Sequence, residues 1–133
     1  MSSLRYVRFQ SPVRSPRGRY PGVFGLANAL AREGRLLPGE YALWRVSNDW
    51  YDAHLPDPSK TDPTVYDPVV NPGAAAWFRP TATEALARVA PYLRILRDHG
   101  VSCVRLESAS PGPIVHADAY QVVAVGPPGR ADP

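Results

Sequence analysis

The chain has 133 residues, 44% hydrophobic and 20% charged, the composition of a folded domain rather than of a disordered or fibrous chain. Fifteen Lys and Arg against 12 Asp and Glu leave a formal charge of +3. No apolar run approaches the ~20 residues of a membrane helix, and the single Cys103 excludes a disulfide framework and a thiolate zinc centre.

The length favours one domain over residues 1–126, followed by a frayed tail at 127–133. Basic charge is uneven. Arg5, Arg8, Arg14, Arg17 and Arg19 stand in the first 19 residues with no acid among them. The same segment has no apolar stretch of the secretory type. With one unpaired cysteine, this gives the expectation of a cytoplasmic protein.

Residues 4–10 read as a strand, with Val7 and Phe9 on one face and Tyr6 and Arg8 on the other. Residues 11–19 are a basic, turn-rich loop containing Ser11-Pro12 and Ser15-Pro16. Pro21 opens a helix over 21–33, carried by Val23, Leu26, Ala27, Leu30 and Ala31, with Gly34 just past its end. A second helix runs from Pro38 to about His54. Leu43, Val46 and Trp50 form one stripe and Tyr41, Trp44 and Tyr51 lie on another face, a pattern for a helix packed on two sides or lining a pocket.

Residues 55–73 form a long Pro-rich loop in which Asp57-Pro58, Asp62-Pro63 and Asp67-Pro68 recur every five residues. Proline holds each preceding Asp extended, and each Asp side chain suits an Asx turn. Val65, Tyr66, Val69 and Val70 predict that the loop lies against the body. Ala74–Phe78 reads as a short helical turn burying Trp77 and Phe78. Thr81-Ala82-Thr83-Glu84 reads as a capping box. The helix behind it carries Leu86, Val89, Leu93 and Leu96, kinks at Pro91 and ends at Asp98-His99-Gly100. Strands follow at 101–107, 114–116 and 119–125, with a break or bulge at Ala117-Asp118. The expected fold is α+β: an antiparallel sheet of three to four strands with about three helices on one face.

Neither standard phosphate loop, no metalloprotease helix and no nucleophile elbow is present, and His54, His99 and His116 lack local metal spacing. No metal or cofactor is expected. Cys103, mid-strand, reads as an inert thiol.

Three constellations remain. Arg8, Arg14, Arg17 and Arg19, on a strand and the loop after it, suit an anion, because guanidinium groups bind phosphate and carboxylate bidentately. A solvated loop paired with the acidic Asp-Pro segment is the structural alternative. Asp49, Asp52 and His54, with Asn48, form an acid–base candidate, because adjacent carboxylates on one helix can hold separated pKa values. Capping and pairing of Arg45 with Asp49 is the alternative. His116 and Asp118 share a strand face, where a carboxylate would orient the imidazole or simply close a turn. Trp77 reads as a core anchor or, less simply, a stacking platform.

The leading expectation is a small binding or accessory protein. Its Arg-rich N-terminal segment would contact an anionic partner: a nucleic acid, a nucleotide or an acidic protein surface. A cofactor-free enzyme acting on a phosphorylated or nucleotide-like substrate, with its site near 48–54 under the 55–73 loop, is the second. A protein-interaction domain docking through the Pro-rich loop or an edge strand is the third.

Overall fold

The computed structural model describes residues 5–126. The tail expected to fray at 127–133 lies outside them, as does Leu4 at the start of the first expected strand. The elements are β1 (Tyr6–Gln10), α1 (Val23–Arg32), α2 (Pro38–His54), α3 (Pro58–Thr61), β2 (Ala75–Phe78), α4 (Thr83–Ala87), α5 (Ala90–Asp98), β3 (Val104–Ser108), β4 (Ile114–Ala117) and β5 (Gln121–Ala124). The fold is α+β, with five strands in one sheet ordered β3-β1-β2-β5-β4 and every neighbouring pair antiparallel.

The three-to-four-strand expectation is thus short. Ala75–Phe78, expected as a helical turn, is strand β2. Its alanines favour a helix in isolation, but β5 offers a ladder along its whole length, from Ala75 opposite Ala124 to Phe78 opposite Gln121.

Val7 and Phe9 of β1 and Phe78 of β2 face the helices. They form one core with Val23, Ala27 and Leu30 of α1, Tyr51 of α2, Ala85 of α4 and Tyr92, Ile95 and Leu96 of α5. The opposite sheet face has a smaller core of Trp77, Val122 and Ala124, with Tyr6 and Leu106 packed on it. Leu106, on edge strand β3, packs against this cluster.

Both expected helix ends are present. Gly34 (φ 69°) lets Arg35 N–H reach the Leu30 carbonyl at 3.0 Å, and Gly100 (φ 70°) lets Val101 N–H reach that of Leu96 at 2.8 Å. The helix expected from Thr81 differs in two ways. Ala82 is its N-cap, with no side-chain capping bond, so the Thr81 capping box does not form. Instead of a kink at Pro91, the chain makes two helices, with Pro91 in the first turn of α5 where no intrahelical N–H is needed. Val89 and Leu96 are still fully buried, so the apolar stripe survives the break.

The Asp-Pro segment is ordered by its own aspartates. Asp57 Oδ1 accepts from Ser59 N–H at 2.9 Å, Asp62 Oδ1 from Thr64 N–H at 3.0 Å and Asp67 Oδ1 from Val69 N–H at 2.8 Å. Val65 is fully buried and Tyr66 partly so, whereas Val69 and Val70 are exposed. Only the first two residues of the expected apolar set hold the loop down. Similarly, α2 buries only Tyr51, and Leu43 and Val46 of its expected stripe face outward.

Candidate functional site

The site begins where β1 and β2 part. These two strands are in register at a single pair, Val7 opposite Phe78. Beyond it the gap is filled by Arg8. Its Nη1 donates to the Ala76 carbonyl at 3.0 Å, its Nη2 to the Tyr20 carbonyl at 3.0 Å and its Nε to Gln10 Oε1 at 2.6 Å. All three acceptors are neutral, and among the described residues no carboxylate forms an ion pair with Arg8. Burial pushes the guanidinium down to about 10, offset in part by Tyr66 and Cys103. Two of its five N–H groups remain beyond those three bonds.

Arg8 lines two cavities. The first, of about 340 Å³, lies between the sheet and α1 and α2, with Phe24, Tyr51 and Phe78 as apolar wall. Asn28, Asn48 and Gln121 supply its amides, and Asp52 and Asp57 its carboxylates. The second, of about 300 Å³, is lined by Arg19, Tyr20, the start of α1 and residues 73–76. Arg8, Gly22, Phe24, Tyr66 and Ala76 belong to both. Volumes of this size sit at the lower end of those that hold small organic ligands.

The walls are braced by polar contacts between helices. Asn28 Oδ1 on α1 accepts from Trp44 Nε1 at 2.9 Å and from Asn48 Nδ2 at 3.2 Å, both on α2. Asn48 Oδ1 in turn accepts from the Tyr92 hydroxyl of α5 at 2.6 Å. Tyr51 donates to the Ala85 carbonyl at 2.6 Å. Burial pushes both phenols well above their ordinary range, so both stay protonated donors. Burial also raises the Tyr66 phenol, and Arg8 opposes that shift. Cys103 is pushed up to about 11 by burial, so its thiolate is scarce at neutral pH.

The expected residues are distributed unevenly about this site. Asn48 and Asp52 line the first cavity. Asp52 is at its rim, 80% exposed, with Arg45 Nη2 at 3.9 Å. Asp49 faces solvent in an ion pair with Arg45 at 3.0 Å, the pairing foreseen as its structural alternative. His54 stacks on the Trp50 ring at 4.4 Å and donates from Nδ1 to the Trp50 carbonyl at 2.8 Å. Asp49 and His54 are thus not among the cavity residues.

Of the arginines, Arg8 and Arg19 line cavities, while Arg14 and Arg17 are exposed on the loop, Arg14 over the Tyr20 ring at 5.7 Å. Among the described residues no ion pair joins this loop to the Asp-Pro segment.

His116 donates from Nε2 to Asp118 Oδ2 at 3.0 Å, as the strand parity suggested. Asp118 also closes the β4–β5 turn, its Oδ1 accepting from Tyr120 and Gln121 N–H at 2.8 and 3.0 Å. Burial favours its neutral form, but the hydrogen bonds from His116, Tyr120 and Gln121 outweigh that and hold it below its ordinary value. Gln121 Nε2 bonds Asp118 Oδ2 at 3.2 Å and the Pro56 carbonyl at 2.8 Å. The pair thereby positions one wall of the first cavity.

Sequence reasoning missed Tyr66, Asn28 and Gln121. In the sequence Tyr66 reads only as an anchor, although it is the one aromatic residue between the three Asp-Pro pairs. Asn28 carried a signal, an amide among the apolar positions of α1. Gln121 carried none, because only strand pairing brings it to Pro56. Among the described residues no three His, Cys, Asp or Glu side chains gather as a metal site requires. No helix there is long and apolar enough to cross a membrane. No protein-family model matches the chain, and no curated protein or solved structure matches it.

Proposed function

We propose that this chain is a cytosolic binding protein for a small organic anion, held at Arg8 where the two cavities meet. The observation that carries the reading is the Arg8 guanidinium. It is desolvated, bonded only to neutral acceptors and set in a cavity wall without an acidic partner. A partly buried, desolvated charge without a counter-ion is costly, and an anionic ligand supplies the missing counter-charge.

A panel of organic phosphates and carboxylates, each beside its uncharged parent, tests this by thermal shift. At a hundred times its dissociation constant a ligand stabilises by about 2.7 kcal/mol, several degrees for a domain of this size. Anions are expected to shift the melting point and their parents much less. Arg8→Lys, which keeps the charge but loses the planar fork, should weaken the response about tenfold. Tyr66→Trp, which leaves the Arg8 hydrogen bonds alone, should block it by filling space at the residues that both cavities share. Unchanged affinity in both variants would overturn the reading.

A second reading, cofactor-free acid–base chemistry on such an anion, is favoured by one observation. Asp52, on α2, lines the same cavity as Arg8. Asp52→Asn would then abolish turnover while leaving the melting temperature nearly unchanged, and full turnover in that variant would exclude it.

A further inference from the structure

The two cavities that share Arg8 differ in charge, and the difference gives a bound molecule a direction. The first contains two carboxylates, Asp52 and Asp57, and three amides, Asn28, Asn48 and Gln121. The second contains a second guanidinium, Arg19, and no carboxylate among its lining residues. It also receives the start of α1, through Gly22, Phe24 and Gly25. That helix has no acidic residue in its first turn and no side-chain cap. The N–H groups of Phe24 and Gly25 have no acceptor within the helix, and the helix dipole adds positive potential there. Gly25 leaves open space, since a side-chain carbon built on it would meet nothing within 4 Å.

Resting on the anion-binding reading above, we infer that the ligand is a nucleoside monophosphate. Its phosphate lies in the second cavity between Arg8, Arg19 and the start of α1, and its nucleoside lies in the first. Two guanidinium groups match the near-dianionic charge of a phosphate monoester better than the single charge of a carboxylate. The first cavity repels a phosphate through Asp52 and Asp57, yet those carboxylates and the amides accept and donate to ribose hydroxyls and base edges. Phe24, Tyr51 and Phe78 give the base an apolar wall.

Titration calorimetry with nucleoside 5′-monophosphates, their parent nucleosides, inorganic phosphate and benzoate tests the assignment on the full chain. At least one monophosphate is expected to bind, about tenfold or more tighter than its nucleoside. Arg19→Ala, at an exposed residue outside the core, should weaken the monophosphate about tenfold and leave the nucleoside unaffected. Arg17→Ala, on the same loop but outside both cavities, should change neither. Asp52→Asn should weaken nucleoside and monophosphate alike and leave inorganic phosphate unaffected.

Equal affinity for monophosphate and nucleoside, or indifference to Arg19→Ala, overturns the inference. Benzoate binding that depends on Arg8, with no response to any monophosphate, overturns it while the anion-binding reading stands. No Arg8-dependent anion binding at all overturns both.

Discussion

Asn48 shows how one side chain joins three helices. Mid-helix asparagine is disfavoured, because its amide competes for backbone hydrogen bonds. Here that amide bonds Asn28 on α1 and accepts from Tyr92 on α5 at 2.6 Å. Tyr92 is fully buried. Tyr92→Phe removes the donor and leaves an amide oxygen without its partner, so it should cost about 1–2 kcal/mol in denaturant unfolding, with little change in the denaturant slope.

Glu40 links two other helix ends. Its carboxylate accepts from Leu37 N–H at 2.9 Å and from His99 Nε2 at 2.8 Å. The His99 bond first, then the Leu37 bond, hold its pKa below the ordinary 4.5. A carboxyl lowered in the folded state contributes stability that is present above its unfolded value and lost as pH falls through its folded value. Melting temperature should therefore fall below about pH 4.5, and Glu40→Gln should make that fall shallower. An identical acid profile for the two proteins would contradict this assignment.

At the scale of elements, the Asp-Pro repeat is a strap with three internal ties and one anchor. Each aspartate fixes the backbone two residues on, and Val65 is fully buried beneath. Asn71 Nδ2 adds a bond to the Val65 carbonyl at 3.0 Å. Asp62→Ala should cost about 1 kcal/mol, and Asp62→Asn much less, because the amide oxygen still accepts. Val65→Ala should cost about 2 kcal/mol by opening a cavity under Tyr66. It should also weaken ligand binding, which calorimetry on the folded variant would read directly. The period of five in the sequence was enough to place these turns, since an Asx turn is made within three residues. The same locality explains the two helix ends at Gly34 and Gly100. It also explains why Ala74–Phe78 reads as a helical turn in the sequence although Ala75–Phe78 is a strand. A strand's partners are distant in sequence, and four residues of Ala-Ala-Trp-Phe carry no period that distinguishes strand from helix.

For the whole molecule, the cavities lie where β1 and β2 part and Arg8 stands between them. The connection from β3 to β4 joins the two edges of the sheet. Gly112 makes that return possible, because a side-chain carbon there would lie 2.1 Å from the Val125 carbonyl oxygen. Gly112→Ala should therefore destabilise the fold, whereas substitution at the exposed Gly39 should not. Charge at this scale separates the ligand classes. A site with two arginines should lose only a few-fold in affinity between 50 and 200 mM salt. A nucleic-acid surface making six to ten phosphate contacts would lose about 10³–10⁵-fold. Titration of the bound anion at the two ionic strengths distinguishes them.

The sequence alone determined what is local: the α+β composition of elements, helix ends at their glycines, Asx turns at Asp-Pro, and the alternation of β1 that sends Val7 and Phe9 one way and Arg8 the other. It also marked Arg8, Arg19, Asn48 and Asp52 as chemically interesting. Only the tertiary structure decided which of them meet. Asp49 and His54 lie on the same helix as Asp52 but away from the cavity: His54, two positions on, is turned by about 200° and stacks on Trp50, whereas Asp49, a same-face neighbour of Asp52 one turn earlier, is held in solvent by Arg45. Arg8, Tyr66 and Gln121, scattered along the chain, are brought to one cavity by strand pairing and by the strap's anchor. Local geometry follows from backbone torsions a few residues apart. Convergence follows from burial of apolar surface between distant segments, and no short window of sequence records it.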